Sequence, residues 1–205
     1  IAASASCITV RFISDGTATA PGWMATIGCG TPPASCLTTT PAGNTCNSAT
    51  AICDLNGYCG NTSGSYTVNY WWQLNNAFCG SIENNSFLTF VAGATTVSLD
   101  VDVTNCNNGQ GIQYMIFSSA GNCSGAVTSY VCDGWMTPGL TTVTATGLTI
   151  GNSYYLMIDG FAGDICDYIV SANSGILLPV SLNINAVTIA NGASTTLTAS
   201  GGFGT

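Results

Sequence analysis

Residues 96–103 alternate between polar and apolar side chains without a break, and this two-residue period is the strongest constraint on the fold. The apolar set is Val97, Leu99, Val101 and Val103, and the polar set is Thr96, Ser98, Asp100 and Asp102. Such alternation is typical of a half-buried β-strand. Strands are also predicted at 66–74, 87–92, 112–117, 141–146 and 154–159, separated by Gly, Asn and Ser. No ten-residue stretch has a helical period, so we predict an all-β protein built as a jelly-roll β-sandwich.

The composition excludes several classes of chemistry. The chain has 205 residues with a single basic side chain, Arg11, and neither Lys nor His. It therefore has no Ser-His-Asp triad, imidazole metal site or P-loop lysine. A net charge of −8 disfavours a nucleic-acid partner, which requires several basic residues. The longest apolar run, 175–182, is far shorter than the ~20 residues that span a bilayer. We expect no enzyme, no nucleic acid and no membrane span.

The chain contains 11 cysteines, and none of the close pairs has the C-x-x-C spacing of a metal site. Disulfides, and hence an oxidising extracellular compartment, are the preferred interpretation. We predict at least four disulfides. The best individual pairs are Cys7–Cys29, across the first hairpin, and Cys123–Cys132, which would close a short loop. The odd number leaves at least one cysteine free or paired outside this sequence.

Composition divides the chain into four parts. Residues 1–30 form two predicted strands, and residues 31–45 are a linker rich in Pro, Thr and Ser. Residues 46–179 contain eight of the cysteines and form the main domain, and residues 180–205 form two strands without cysteine. Because two strands rarely fold alone, we expect the sequence to be a piece truncated at both ends.

Two short segments at the start of the chain resemble a known family. The sequence CITVRFISDGT at 7–17, followed by GWMATIGC at 22–29, resembles the closing strands of a CUB domain. In calcium-binding CUB domains the Asp of that turn is a metal ligand. The resemblance therefore implies a calcium ligand at Asp15.

The main domain has a second resemblance, carried by residues 46–63, 78–87 and 151–168. These segments resemble a secreted jelly-roll module of Bacteroidota, found in long surface proteins that include gliding-motility adhesins exported by type IX secretion. Residues 191–202 are similar to the start of the Ig-like repeats in such proteins. The resemblance implies a modular adhesin at the bacterial cell surface. Its implied partners are neighbouring modules, surface polysaccharide, and outer-membrane or secretion proteins.

Carboxylates are the main candidates for chemistry. Asp159, Asp164 and Asp167 lie on a Gly-rich loop without a basic neighbour, as in a calcium site, or they cap turns in a solvated loop. Asp100 and Asp102 share a strand face about 7 Å apart, within the range of an inverting glycosidase pair. They lack a pocket that would raise one pKa, so a solvated face is preferred. Glu83 is expected to bond its own loop or a ligand.

Two tryptophans are candidate ligand-binding residues. In the predicted strand 66–74, alternation places Trp72 on the apolar face and Trp71 on the polar face. Trp71 and Trp135 would stack on sugar rings or pack against a neighbouring loop or domain. The leading functional hypothesis is a structural and adhesive segment of a long surface protein. The alternative is a carbohydrate-binding module.

Overall fold

The structure, a computed structural model, describes residues 41–52, 57–121 and 123–177. The predicted CUB-like hairpin with Asp15, the Cys7–Cys29 pair and the Ig-like strands lie outside these residues. No helix among the described residues has the length and hydrophobicity that crossing a bilayer requires.

The described residues form two β-sheets. The strands are β1 (Thr50–Ala51), β2 (Tyr58–Asn61), β3 (Ser86–Val91), β4 (Thr96–Thr104), β5 (Ile112–Ser119), β6 (Val127–Met136), β7 (Gly139–Thr146), β8 (Ser153–Gly160) and β9 (Asp167–Ser174). The five-stranded sheet has the order β1-β3-β8-β5-β6, and the four-stranded sheet has the order β2-β9-β4-β7. All pairs are antiparallel except β1 with β3. Strands β2 to β9 thus have the jelly-roll order, and the all-β prediction is confirmed.

The core between the sheets follows the predicted alternation. In β4 the four apolar side chains at 97, 99, 101 and 103 are at most 1% exposed, whereas the polar side chains between them are half-buried. They pack with apolar residues of the five-stranded sheet in one cluster. Asp100 and Asp102 accordingly lie on the outer face, where the Thr142 hydroxyl donates to Asp100 at 2.6 Å.

A second core covers the outer face of the five-stranded sheet. Toward the other sheet, β5 directs Ile112, Tyr114 and Ile116. On its outer face are Gln113, Met115 and Phe117. Leu74 and Phe78 pack over Met115 and Phe117 in a separate apolar cluster. Strands of antiparallel sheets commonly have one face on the core and one toward solvent, but β5 is buried on both faces. We call the covering segment, residues 66–83, the outer layer.

The strand predicted at 66–74 is wrong. The chain is irregular up to Trp71 and then forms the short helix α1 (Trp72–Ala77). The segment lies over a sheet face rather than along an edge, so it gains stability from packing and not from strand pairing. The predicted orientations are therefore reversed. Trp72 is 74% exposed, while Trp71 packs on Phe117 with ring centroids 6.3 Å apart.

The domain begins before the predicted boundary at residue 46. Gly43 and Phe87 exchange two backbone hydrogen bonds, at 2.9 and 2.8 Å, and Ala42 is buried in the inter-sheet core. Residues 41–45 therefore belong to the domain and not to the linker. At the other end, Leu177 donates its backbone N–H to Val91 at 2.7 Å. The first described residues of the domain thus lie beside the start of β3, and the last lie beside the end of β3.

Three disulfides join distant parts of the domain: Cys46–Cys123, Cys79–Cys132 and Cys106–Cys166. Cys59 is disulfide-bonded as well. The predicted pair Cys123–Cys132 is wrong. Cys123 precedes β6, and Cys132 lies five residues along that extended strand, roughly 16 Å from its start. A disulfide requires Cα atoms within about 7 Å. Two of the three bridges attach the outer layer and the segment before it to the β5–β6 hairpin.

We expect Trp71 and Trp72 to differ in their contributions to stability. Trp71 contacts Phe117, and its indole N–H donates to the Gly125 carbonyl at 3.0 Å, so Trp71→Ala should cost about 2–4 kcal/mol of unfolding free energy. Trp72→Ala should change it by less than about 0.5 kcal/mol, because that side chain is mostly exposed. Urea unfolding under non-reducing conditions measures both. Equal losses of unfolding free energy in the two variants would contradict the described orientation, in which Trp71 is packed and Trp72 is exposed.

Candidate functional site

Most of the candidate residues gather at one end of the five-stranded sheet, where β5 begins and β6 and β8 end. Three connections complete this end, and one of them is the β4–β5 loop 105–111. The other two are the loop 79–85 before β3 and the turn 161–166 between β8 and β9, which starts with the 3₁₀ turn Phe161–Gly163. Asp159, at the end of β8, lies at the centre of the group.

Asp159 is buried and bonded to two other segments. The backbone N–H groups of Glu83 and Asn84 donate to its Oδ1 at 3.1 and 2.8 Å, and the Gln113 amide donates to Oδ2 at 2.8 Å. The same Gln113 nitrogen lies 3.1 Å from Glu83 Oε2. The two carboxyl groups are thus bridged by one amide. We call Glu83, Gln113 and Asp159 the acid–amide cluster.

Burial raises the pKa of the Asp159 carboxyl from 3.8 to about 7. The backbone N–H groups of Asn84 and Glu83 counteract this rise, whereas the neighbouring Glu83 carboxyl adds to it. No described residue is basic, so none of them supplies a cation that would stabilise two adjacent negative charges. The cluster therefore holds a proton at mildly acidic pH.

Asp164 is equally buried but is stabilised in its charged form. The backbone N–H groups of Asn108 and Ile165 donate to Oδ1, both at 2.9 Å. Those of Gln110 and Gly111 donate to Oδ2 at 2.8 and 3.3 Å. Burial alone would raise the pKa of this carboxyl, but the four donors outweigh it and the pKa is lowered. Asp164 fixes the β4–β5 loop around a single carboxylate.

A buried network of neutral groups links the two aspartates. The Asn84 side chain accepts from the Gly160 N–H and donates to the Thr62 carbonyl, both at 2.8 Å. The Thr62 hydroxyl donates to the Asp164 carbonyl at 2.8 Å. A Cβ at Gly160 would overlap that same carbonyl, so only glycine fits there. Every buried side-chain polar atom among the described residues has a hydrogen-bond partner.

The predicted calcium loop is not assembled. Asp159, Asp164 and Asp167 do not group within 4.8 Å of one another in the described part of the chain. Asp167 lies at the surface and accepts from the Asn105 amide at 3.0 Å. The oxygens of Asp164 face N–H donors, which a cation would repel. These donors therefore do not fit a calcium ion.

One cluster does have metal-ligand atom types, namely Cys106, Asp164 and Cys166. Its two sulfur atoms are bonded to each other, and its carboxylate accepts the four N–H groups described above. A disulfide sulfur is not the thiolate that binds metals. The cluster is therefore a structural junction.

Trp135 forms an exposed aromatic surface at this end of the sheet. Its ring is 61% exposed and stacks on Phe161, with centroids 5.4 Å apart and planes inclined by 28°. The indole N–H donates to the Gln110 carbonyl at 2.8 Å, and the backbone N–H to Asp133 Oδ1 at 2.9 Å. These contacts hold the ring in one orientation.

Trp71 does not belong to this surface. It lies against Gly125, just before β6, whereas Trp135 lies near the end of that strand. Ten residues of extended strand separate them by roughly 30 Å. Trp71 packs the outer layer onto the sheet, so the alternative interpretation of packing under a loop is correct for this residue.

The sequence reasoning missed Phe161, Asn84 and Gln113. Gln113 alone carried a signal, because its neighbours on the same strand face, Met115 and Phe117, are apolar. A polar residue on such a face indicates a polar partner above it.

Comparison of the chain with protein-family models and with curated proteins finds no match. The disulfides remain the main indication of environment, since such bonds form and persist in oxidising, extracytoplasmic compartments.

We expect Asp164→Asn to destabilise the fold whether or not calcium is present. The new NH₂ group would face backbone N–H donors, so the loss should be about 2–4 kcal/mol in EDTA and in millimolar calcium alike. Asp167→Asn is the control, because Asp167 is exposed and has one side-chain partner. Urea unfolding in both buffers measures the losses. Calcium-dependent stabilisation that only Asp164→Asn abolishes would contradict this assignment.

Asp159 should make stability fall as pH rises. Between about pH 4 and pH 7 the folded chain retains a proton that the unfolded chain has lost, so the free energy of unfolding decreases with pH and levels off above about 7. Asp159→Asn has no such proton to lose, and its difference from the parent should change over this window. Urea unfolding from pH 3.5 to 8 tests it. Parallel curves would exclude a raised pKa at Asp159.

Proposed function

We propose that the chain is a structural and adhesive segment of a long cell-surface protein, in which the jelly roll separates neighbouring modules. The observation that carries this proposal is the path of the chain. It enters through Gly43 at the start of β3 and leaves through Leu177 at the end of β3. The two connections to the rest of the chain therefore start beside opposite ends of one strand, β3, which would suit a spacer.

The disulfides and the closed polar network support the same proposal. Surface proteins encounter proteases and shear, and covalent bridges across an already packed core restrain the unfolded chain. The buried carboxylates are occupied in holding loops, which favours a structural role over catalysis. We assign the protein to the bacterial cell surface, in attachment or gliding motility, with neighbouring modules and outer-membrane or secretion proteins as partners. This part rests on the sequence resemblance.

The proposal is tested in cells that express the full-length parent protein. In-frame deletion of residues 41–177 should reduce surface attachment. Replacement by an unrelated disulfide-bonded β-sandwich with its ends at opposite poles should restore it. Attachment assays, with antibody labelling of intact cells to confirm display, provide the readout. Undiminished attachment after deletion would contradict the adhesive role, and failure of the replacement would contradict the spacer role.

Carbohydrate binding is the second candidate function, and the fixed Trp135–Phe161 pair favours it. A rigid exposed ring is suited to stacking on a pyranose, and the adjoining Gln110 and Asp133 offer polar groups for sugar hydroxyls. The described residues contain no basic side chain that would pair with an acidic sugar. The ligand would be a neutral polysaccharide.

For this candidate we expect Trp135→Ala to weaken binding to neutral glucans or mannans at least tenfold in affinity electrophoresis. Trp72→Ala should bind as the parent does, since that side chain, which is even more exposed than Trp135, lies on the outer layer. Equal binding by the parent and both variants, or no binding by the parent, would remove this function.

A further inference from the structure

The three disulfides are interleaved in the sequence. In chain order the six cysteines are Cys46, Cys79, Cys106, Cys123, Cys132 and Cys166, and the first bonds the fourth, the second the fifth and the third the sixth. Each bridge therefore has one cysteine inside the loop that each other bridge closes and one cysteine outside that loop. The bridges span 77, 53 and 60 residues of sequence.

Interleaving shortens the covalent path between the two ends of the domain. From Cys46 the shortest path crosses to Cys123, follows the chain back to Cys106 and crosses to Cys166. This path contains about 17 residues of backbone, roughly 60 Å when extended. The backbone without bridges contains about 120 residues between the same points, roughly 400 Å when extended.

We propose that this domain is a spacer of limited extensibility, in which tension between residues 46 and 166 is carried by that short covalent path even after the sheets separate. The inference rests on the proposed function, since only a segment held under tension would use the limit. Strands β3, β4, β6, β7 and β8 lie off the path and remain unstretched.

The bridges differ in their contribution to this limit. Cys46–Cys123 and Cys106–Cys166 both lie on the path. Cys79–Cys132 does not, because any path through it is longer than the one already described. Its role is to hold the outer layer against β6. Removing it should affect stability and leave the extended length unchanged, which makes it a matched control.

Only the flanks of the domain lie outside the limit. Residues 41–45 precede Cys46 and are held by the Gly43–Phe87 bridge. Strand β9 follows Cys166 and is held by hydrogen bonds to β2 and β4. Tension would peel these segments without breaking a covalent bond.

Single-molecule stretching of the full 205-residue chain between marker domains tests the proposal. Relative to the oxidised parent, Cys106→Ser/Cys166→Ser should lengthen the fully unfolded chain by about 26 residues, roughly 90 Å, because the path must then run from Cys123 to residue 166. Cys79→Ser/Cys132→Ser should add no length. Residues beyond the domain contribute equally to all three and cancel.

A second measurement needs no variant. Dithiothreitol added to the unfolded parent under constant force should cleave one bridge of the path at a time through thiol–disulfide exchange. The first step should be about 26 residues if Cys106–Cys166 is cleaved, and a longer one of at most about 42 residues if Cys46–Cys123 is cleaved, because the Cys59 disulfide lies on the new path. The proposal is overturned if the oxidised parent extends by the full backbone length, or if the Cys79/Cys132 variant lengthens as much as the Cys106/Cys166 variant. If these lengths are observed but deletion of the domain leaves cell attachment unchanged, the covalent path is established and the proposed cellular role is refuted.

Discussion

Burying a carboxylate without a cation is the constraint on which this end of the jelly roll depends. None of the described residues is basic, so none of them offers an ion-pair partner to Asp159 or Asp164. Burial of an unpaired charge is too costly to persist. Asp164 is stabilised by four backbone N–H groups, and Asp159 by two backbone N–H groups, a shared amide and, at mildly acidic pH, a proton. These two solutions determine the conformation of the β4–β5, pre-β3 and β8–β9 connections.

Elements with a strict alternation could be predicted from the sequence, and others could not. Strand β4 has one face on the core and one toward solvent, so its residues record its environment directly. Residues 66–71 also alternate, but they pack on the face of a sheet and are not part of a strand. The alternation alone does not distinguish a strand within a sheet from an irregular segment that covers one. A strand is predicted at 112–117 by analogy with the alternating segment 96–103, yet β5 is buried on both faces, so the prediction of its existence is confirmed and that of one solvated face is not.

The sequence predicted which residue types form the candidate site, but it did not predict which groups they hydrogen-bond. Asp159, Asp164 and Trp135 do lie at one end of the sheet. Their roles depend on backbone N–H groups contributed by loops distant in sequence, and no side-chain pattern encodes those donors. The pairing of Cys123 and Cys132 was mispredicted for a similar reason. The spacing of cysteines along the chain does not show which of them become neighbours in the folded domain.

The order of the bridges also bears on how the chain oxidises after export. None of the three disulfides joins cysteines that are consecutive in the sequence. A chain that oxidised as it emerged would pair Cys46 or Cys79 with a nearer cysteine long before Cys123 or Cys132 arrived. Native pairing therefore requires either that the sheets assemble while the thiols are still reduced, or that an isomerase repeatedly exchanges early, incorrect bonds. Secretion of this domain would depend on the redox enzymes of its compartment as much as on its own sequence.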